Sequence, residues 1–453
     1  MAAEEVDIVV IGLGPGGENA AGLLAEAGLR VIAVEARLVG GECPYWGCIP
    51  SKMMIRAGDL LAETRRVPGM AGTSEVHPDW SLVARRIRDE ATDTWDDTVA
   101  ADRLTGKGAT LVRGLGKVTA PGEVTVGDRV FRARRGIVLA AGTAPAIPPI
   151  EGLAGTPYWT NREAIEAEAV PESLIVLGGG AIGVELAQVY ARFGSEVTVV
   201  EAGDRLIALE EPESGALVAE VFGREGIVVR TGAGAQSVRH DSYGFTLSLA
   251  DGKSVSGEKL LVATGRRANL SAVGVGALGL DEKARAVPVD DRMRVTSGVW
   301  ALGDLTGKGA FTHVSMYQSE IVVRDILGRP GPAADYQALP RVTFTDPEVG
   351  AVGLTEQQAR DKGIQVRTGF VKLPEVTRGW IHRADGFIKV VADADRGVLV
   401  GATTAGPSGG EIIGALSVAV AAEVPISRLR HMIYAYPTFH RGILQAVTAL
   451  DSD

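Results

Sequence analysis

Both cysteines of this 453-residue chain fall in one six-residue window, Cys43-Pro44-Tyr45-Trp46-Gly47-Cys48. A disulfide across so short a loop removes little entropy from the unfolded chain, so stapling explains the pair poorly. Structural zinc usually takes four ligands, and the nearest histidine, His77, is far along the chain. The chemistry that remains is a dithiol cycling between reduced and oxidised forms. Ser51-Lys52-Met53-Met54-Ile55 begins a helical pattern. Cys48 therefore sits near a helix N-terminus, where partial positive charge favours a thiolate. The bland alternative is two buried, unreactive thiols.

A cycling dithiol needs an electron donor, and the glycines suggest where one binds. With 59 glycines, a Gly-x-Gly-x-x-Gly pattern is expected by chance about once in a chain of this length, so only its context carries information. The first match has that context. The β-branched run Asp7 to Ile11 reads as a buried parallel strand, followed by Gly12, Gly14 and Gly17. Glu18 to Ala27 reads as a helix ending at Gly28, and a strand from Arg30 to Val34 delivers Glu35. These glycines let backbone approach a pyrophosphate at a helix N-terminus, and Glu35 can accept from ribose hydroxyls.

The second match repeats the layout. A strand from Leu174 to Leu177 leads to Gly178, Gly180 and Gly183, then a helix from Val184 to Phe193. A strand from Glu196 to Val200 ends at Glu201, as far from its first glycine as Glu35 is from Gly12. The third match, Gly274, Gly276 and Gly279, has no strand before it and is a chance hit. Two dinucleotide sites imply two ligands, a flavin and a nicotinamide, because one passes a hydride to the other. Glu201 favours a free 2′-hydroxyl and hence NADH over NADPH, although Arg205 close by weakens that preference.

Composition narrows the class further. The chain is long enough for two to four domains at about 100–200 residues each. Its hydrophobic share of 46% and charged share of 23% are ordinary for globular proteins. A net charge of −10 argues against a nucleic-acid partner. The start, Met1-Ala2-Ala3-Glu4-Glu5, is acidic where a signal peptide is basic, and the apolar run from Ile412 to Ala422 is too short to span a bilayer of about 30 Å. A cytoplasmic protein without a membrane partner is the expectation.

Gly40-Gly41-Glu42-Cys43 followed by Gly47-Cys48-Ile49-Pro50-Ser51-Lys52 resembles the redox segment of the pyridine nucleotide-disulfide oxidoreductases, a family that includes dihydrolipoamide dehydrogenase, glutathione reductase and mercuric reductase. Similar segments follow in the expected order: Ala140-Ala141-Gly142-Thr143, Ala263-Thr264-Gly265-Arg266, Ala301-Leu302-Gly303-Asp304, and Phe344-Thr345-Asp346-Pro347-Glu348. The resemblance implies an α/β fold: two Rossmann-like domains, for FAD and NAD(P)H, and a C-terminal α+β dimerisation domain. FAD would bind to residues 1–149 and 267–335, NAD(P)H to 150–266, and the interface domain would take 336–453. It further implies a homodimer, with the apolar helix from Gly409 to Ala422 in its interface. By the same resemblance Cys48 faces the flavin and Cys43 exchanges with substrate, as partners in a redox-active disulfide. Lys52 pairs with Glu185 near the nicotinamide, Glu35 binds the FAD ribose, and Asp304 binds the ribitol. Gly142 and Gly265 belong to the cofactor site, and His313 helps cover the flavin. Without the family, Lys52 and Glu185 would read as surface charges on helices.

The chain also departs from the family. In disulfide-reducing members a partner-subunit His-Pro, with a Glu further on, protonates the leaving thiolate. Here Tyr436 stands at the His position and Arg441 at the Glu position, in Ala435-Tyr436-Pro437-Thr438-Phe439-His440-Arg441. A tyrosine is a poor base at neutral pH, and His440 is a candidate substitute. Of the other histidines, His77, His240 and His382 read as structural or exposed, and His431 lies before the motif. A tyrosine here is similar to mercuric reductase, but that enzyme's C-terminal cysteine pair is missing. Tyr45 and Trp46, between the cysteines, would narrow access or stack on a flat acceptor such as a quinone. The expected acceptor is a small disulfide or other small molecule. The alternatives are a quinone or metal-ion reductase with direct transfer from the flavin, and a non-enzymatic redox-sensing flavoprotein.

Overall fold

The structure, a computed structural model, describes residues 3–451. Contacts divide the chain into two compact units. One holds Met1–Met53, Leu82–Ala146 and Gly265–Asp335; the other holds Met54–Ser81, Ile147–Thr264 and Tyr336–Asp453.

The first unit is built on an eight-stranded sheet. Its main path runs Arg294–Thr296, Val299–Ala301, Arg129–Leu139, Glu4–Ile11, Val31–Glu35, Thr110–Arg113. Every pairing after the first is parallel. The strands Gly116–Ala120 and Glu123–Val126 extend Arg129–Leu139 as an antiparallel meander. Ile8, Val9 and Val10 are fully buried, which is why the run is apolar rather than alternating. The helix Pro15–Glu26 follows the first strand directly, with Pro15 at its first turn, where the missing N–H costs no hydrogen bond.

The second unit repeats the motif on a four-stranded parallel sheet, ordered Val228–Arg230, Glu196–Val200, Ser173–Leu177, Lys259–Val262. The helix Ala181–Arg192 follows the strand Ser173–Leu177. The unit also contains a three-stranded antiparallel meander and a five-stranded antiparallel sheet. In the latter, Phe387–Asp393 and Val398–Gly406 are buried at every position. The helix Gly409–Ala421 packs on this sheet through Ile412, Ile413 and Leu416. The glycine-flanked helices start earlier than their apolar patterns indicate, because the glycine loops themselves form the first turns.

Candidate active site

The first glycine loop is closed by hydrogen bonds to Glu35. Leu13 N donates to Oε2 at 2.7 Å and Arg37 N to Oε1 at 2.8 Å. Burial pushes the Glu35 carboxyl upward, against these backbone donors. Gly12 takes φ +94°, and a Cβ there would lie 2.5 Å from the Ala140 carbonyl oxygen. A Cβ on Gly17 would lie 2.1 Å from the Gly12 oxygen, so only glycine lets the helix approach the strand. Nothing lies within 4 Å of a Cβ on Gly14, which leaves the helix N-terminus facing open space. That open, N–H-rich cradle with an acid beside it fits a dinucleotide pyrophosphate and ribose.

The second loop reproduces this. Gly179 N and Gly203 N each donate to Glu201 at 2.6 Å. Cβ atoms on Gly178 and Gly183 would lie 2.4 Å from the Ala263 oxygen and 2.0 Å from the Gly178 oxygen, while Gly180 again faces open space. Arg205 turns away to donate to the Ala208 carbonyl at 2.9 Å. The third glycine match lies in the short helical turns Leu270–Val273 and Val275–Leu278, where Gly276 N donates to Glu282.

The redox segment docks on the first loop. Gly40 N donates to the Leu13 carbonyl at 2.7 Å, and a Cβ on Gly41 would lie 2.7 Å from the Gly14 Cα. One helical turn, Glu42–Tyr45, carries Cys43, and Cys48 is the first residue of the helix Cys48–Arg66. Neither cysteine is in a disulfide, and Cys48 is the more exposed. The Cys43 thiol donates to Cys48 and holds the Cys48 thiolate down to about 5, helped by the Thr312 hydroxyl at 3.5 Å and by Lys52, against burial. The same hydrogen bond, with burial, pushes the Cys43 thiol far up. The hydrogen bond between the two sulfurs thus favours the thiolate at Cys48 and the thiol at Cys43. Tyr45 is buried, with its hydroxyl pushed up to about 12 mainly by burial, so it offers no face to an acceptor. Of the two aromatics expected to stack or narrow access, only Trp46 is partly exposed.

Four family-like segments converge within the first unit. Arg266 lies 3.8 Å from Glu42 and donates to the Thr143 hydroxyl at 2.8 Å, and Thr143 donates in turn to Asp304 at 2.9 Å. Gly142 and Gly265 take φ +63° and +117° at the turns that aim these side chains. The buried Gln318 accepts from Gly303 N at 2.6 Å and fixes the loop that presents Asp304. His313 stacks on Phe311 with centroids 5.1 Å apart. Sequence reasoning singled out Asp304 but passed over Arg266, Thr143 and Thr312. The motifs containing Arg266 and Thr143 were visible, whereas Thr312 carried no signal.

In the second unit Glu185 is buried and accepts from Phe344 N at 2.8 Å, so it is no surface charge. Lys52 lies in the first unit, where it donates to Ser51 Oγ at 3.3 Å. Tyr436 is exposed; its hydroxyl reaches Thr377 Oγ1 at 3.4 Å, and the Arg441 guanidinium lies 5.3 Å from its ring centre. His440 packs its ring near Tyr434 rather than Tyr436. His240 is on a strand against Phe245, and His382 packs on Phe439. No cluster of His, Cys, Asp and Glu among the described residues could hold a metal ion, and no helix among them is long and apolar enough to cross a membrane.

Two dinucleotide cradles and a thiol–thiolate pair docked on one of them define a flavin-dependent dithiol oxidoreductase. The chain belongs to the pyridine nucleotide-disulphide oxidoreductases: the family pattern matches residues 6–319, and the family's dimerisation domain matches 339–447. It is 33% identical to a dihydrolipoyl dehydrogenase of Thermus scotoductus, covering 98% of this chain and 97% of the relative. It is 34% identical to a mercuric reductase of Acidithiobacillus ferrooxidans, covering 99% of this chain and 83% of the relative. Among solved structures, LpdA of Mycobacterium tuberculosis matches with a TM-score of 0.86 at 26% identity, over 99% of this chain and all of that one. A Cu(II) complex of the flavoprotein disulfide reductase RclA of Escherichia coli matches with a TM-score of 0.86 at 25% identity, over 99% of each chain. The protein is an FAD-dependent enzyme using NAD(P)H, and its dimerisation domain supports a homodimer. The non-enzymatic alternative falls with that assignment.

Proposed function

We propose that the enzyme oxidises NADH and opens a Cys43–Cys48 disulfide, and that the resulting dithiol reduces a small acceptor. The observation that carries this reading is the placement of two free, hydrogen-bonded thiols on a segment docked against the first glycine loop. Bound FAD supplies the two-electron relay between nicotinamide and disulfide. The first glycine loop would hold its pyrophosphate, Glu35 its ribose and Asp304 its ribitol, with Gly142, Gly265 and His313 around it. All of these but Gly265 belong to a domain of residues 1–149 and 267–335, with the nicotinamide nucleotide on 150–266 and the dimer interface on 336–453. Lys52 and Glu185 would pair beside the nicotinamide. The electrons balance as NADH and a disulfide going to NAD⁺, a Cys48 thiolate and a Cys43 thiol. Cys43 then attacks the acceptor as its proton passes to the Cys48 sulfur; Cys48 returns that proton to the first group released and displaces the second, closing the Cys43–Cys48 disulfide again. Glu201, with both oxygens held by backbone N–H groups, supports NADH over NADPH.

A second reading, direct reduction of a soft metal ion or a quinone without exchange at Cys43, is favoured by one feature. Tyr436 and Arg441 replace the proton-donating His–Glu pair, so a disulfide's leaving thiolate has no histidine acid at that position. Relatives named mercuric reductase and the Cu(II) complex of RclA point the same way. Rates with lipoamide, oxidised low-molecular thiols, quinones, Hg(II) and Cu(II) should be measured for wild type and Cys43→Ser, each with NADH and NADPH. The dithiol reading expects Cys43→Ser to lose turnover of the best acceptor. Full retention would sink it and leave direct transfer.

A further inference from the structure

Three consecutive non-glycine residues, Asp93, Thr94 and Trp95, sit in the left-handed region with φ 48°, 58° and 56°. Side chains disfavour that conformation at each residue, and such a run persists only where its surroundings impose it. It follows a π-helical turn, Ile87–Ala91, and is tied back by Thr94 N to the Arg88 carbonyl at 2.6 Å. The turn places two side chains on the redox segment. Trp95 Nε1 donates to the Tyr45 carbonyl at 3.3 Å, and Asp97 accepts from Val39 N at 2.6 Å. Asp97 is itself held by a two-pronged Arg113, at 2.6 and 2.8 Å. Val39 and Tyr45 bracket the stretch that carries Cys43. Between turn and stretch lies a cavity of about 290 Å³, lined by Pro15, Val39, Pro44, Tyr45, Thr92 and Asp96 among others.

We infer that Trp95 and Asp97 are positioning residues for Cys43, and that the left-handed turn exists to aim them. They act on the reaction through the place they give the outer thiol. The inference rests on the reading that Cys43 is the thiol paired with the Cys48 thiolate. Cys48 faces four groups that lower its titration, Cys43, the Thr312 hydroxyl, Lys52 and its own backbone N–H, and only the first, the largest, belongs to the clamped stretch. Loosening the stretch therefore weakens that one and leaves the other three.

The test is the pH profile of iodoacetamide alkylation of the NADH-reduced holoenzyme, with the labelled cysteine identified by mass spectrometry. Trp95→Phe keeps the ring and removes the donor. Its Cys48 titration midpoint should move up by about one unit, making alkylation at pH 5 up to about tenfold slower. Cys43→Ala, which removes the donor outright, should move the midpoint at least as far. Asp97→Asn, which keeps an acceptor for Val39, should move it less and serves if Trp95→Phe does not fold. If Trp95→Phe lowers Tm but leaves the profile in place, the turn is merely structural and the inference fails. If Cys43→Ala also leaves the profile in place, the pairing of the two thiols fails instead, and with it the dithiol reading.

Discussion

In the first unit, Leu13 donates to Glu35 and its carbonyl accepts from Gly40; in the second, Gly179 donates to Glu201 and its carbonyl accepts from Ile207. Each acid takes a second N–H from two residues on, Arg37 or Gly203. The two loops are thus copies, bond for bond, and they differ in what the next residues carry. After Gly40 come Gly41, Glu42 and Cys43, with φ +104° at Gly40 and +66° at Gly41 turning the chain back over Gly14. After Ile207 come Ala208, Leu209 and Glu210, and no thiol. One cradle carries no thiol near it. The other carries the cysteine pair on its rim, which is why the proposed function puts the flavin there.

The sharpest way to break this comparison is to crowd the two loops separately. Gly17→Ala and Gly183→Ala each place a methyl about 2 Å from a backbone oxygen of their own loop. Such overpacking costs about 1–3 kcal/mol or more, which is about 10–100-fold in binding. Gly17→Ala should lose flavin on gel filtration. Gly183→Ala should keep its flavin absorbance and lose reduction by NADH. Matching losses in both variants would mean that the copies are not specialised.

The dithiol should titrate as a feature of the first unit alone. Reduced enzyme should show a thiolate absorbance that persists well below the usual thiol range and fades as pH falls toward about 5, because the Cys43 thiol, the Thr312 hydroxyl and Lys52 hold Cys48 down. Cys48→Ser should remove it across the neutral range, because the burial of Cys43, which the substitution leaves in place, still holds that thiol up. A Cys48→Ser protein that still absorbs as thiolate at pH 7 would reverse the assignment of the two sulfurs.

Much of this was legible in the residues, for identifiable reasons. Glycines that must sit against backbone oxygen, acids at strand ends and paired cysteines are local requirements, so Gly12, Glu35, Gly178, Glu201, Cys43 and Cys48 stood out. The Arg266–Thr143–Asp304 chain joins residues far apart in sequence and depends on how the loops close. Tyr45 reads as an exposed aromatic until the fold turns it inward. The strain at Asp93–Trp95 had no signal, because nothing in Asp-Thr-Trp announces a left-handed turn.

A smaller effect separates the two acids. Glu201→Gln keeps one acceptor oxygen for the loop but gives up charge-assisted bonding, worth about 1.5–3 kcal/mol when a charged group is involved. NADH should bind roughly tenfold more weakly as a result, with NADPH hardly affected, while flavin content stays at wild type. If NADPH weakens equally, Glu201 holds the loop and does not read the ribose.

The smallest effect should come from the third glycine match, which shares the pattern but not the lattice. A Cβ on Gly276 would lie 2.7 Å from Glu282 Oε1, the far end of a side chain that can swing away. Gly276→Ala should therefore bind flavin and NADH as wild type does, with Tm within about 2–4 °C, the shift expected from a change of about 1 kcal/mol or less. Loss of either ligand would show that spacing alone makes a site in this chain. The strand, the helix and the acid that define the other two would then be incidental.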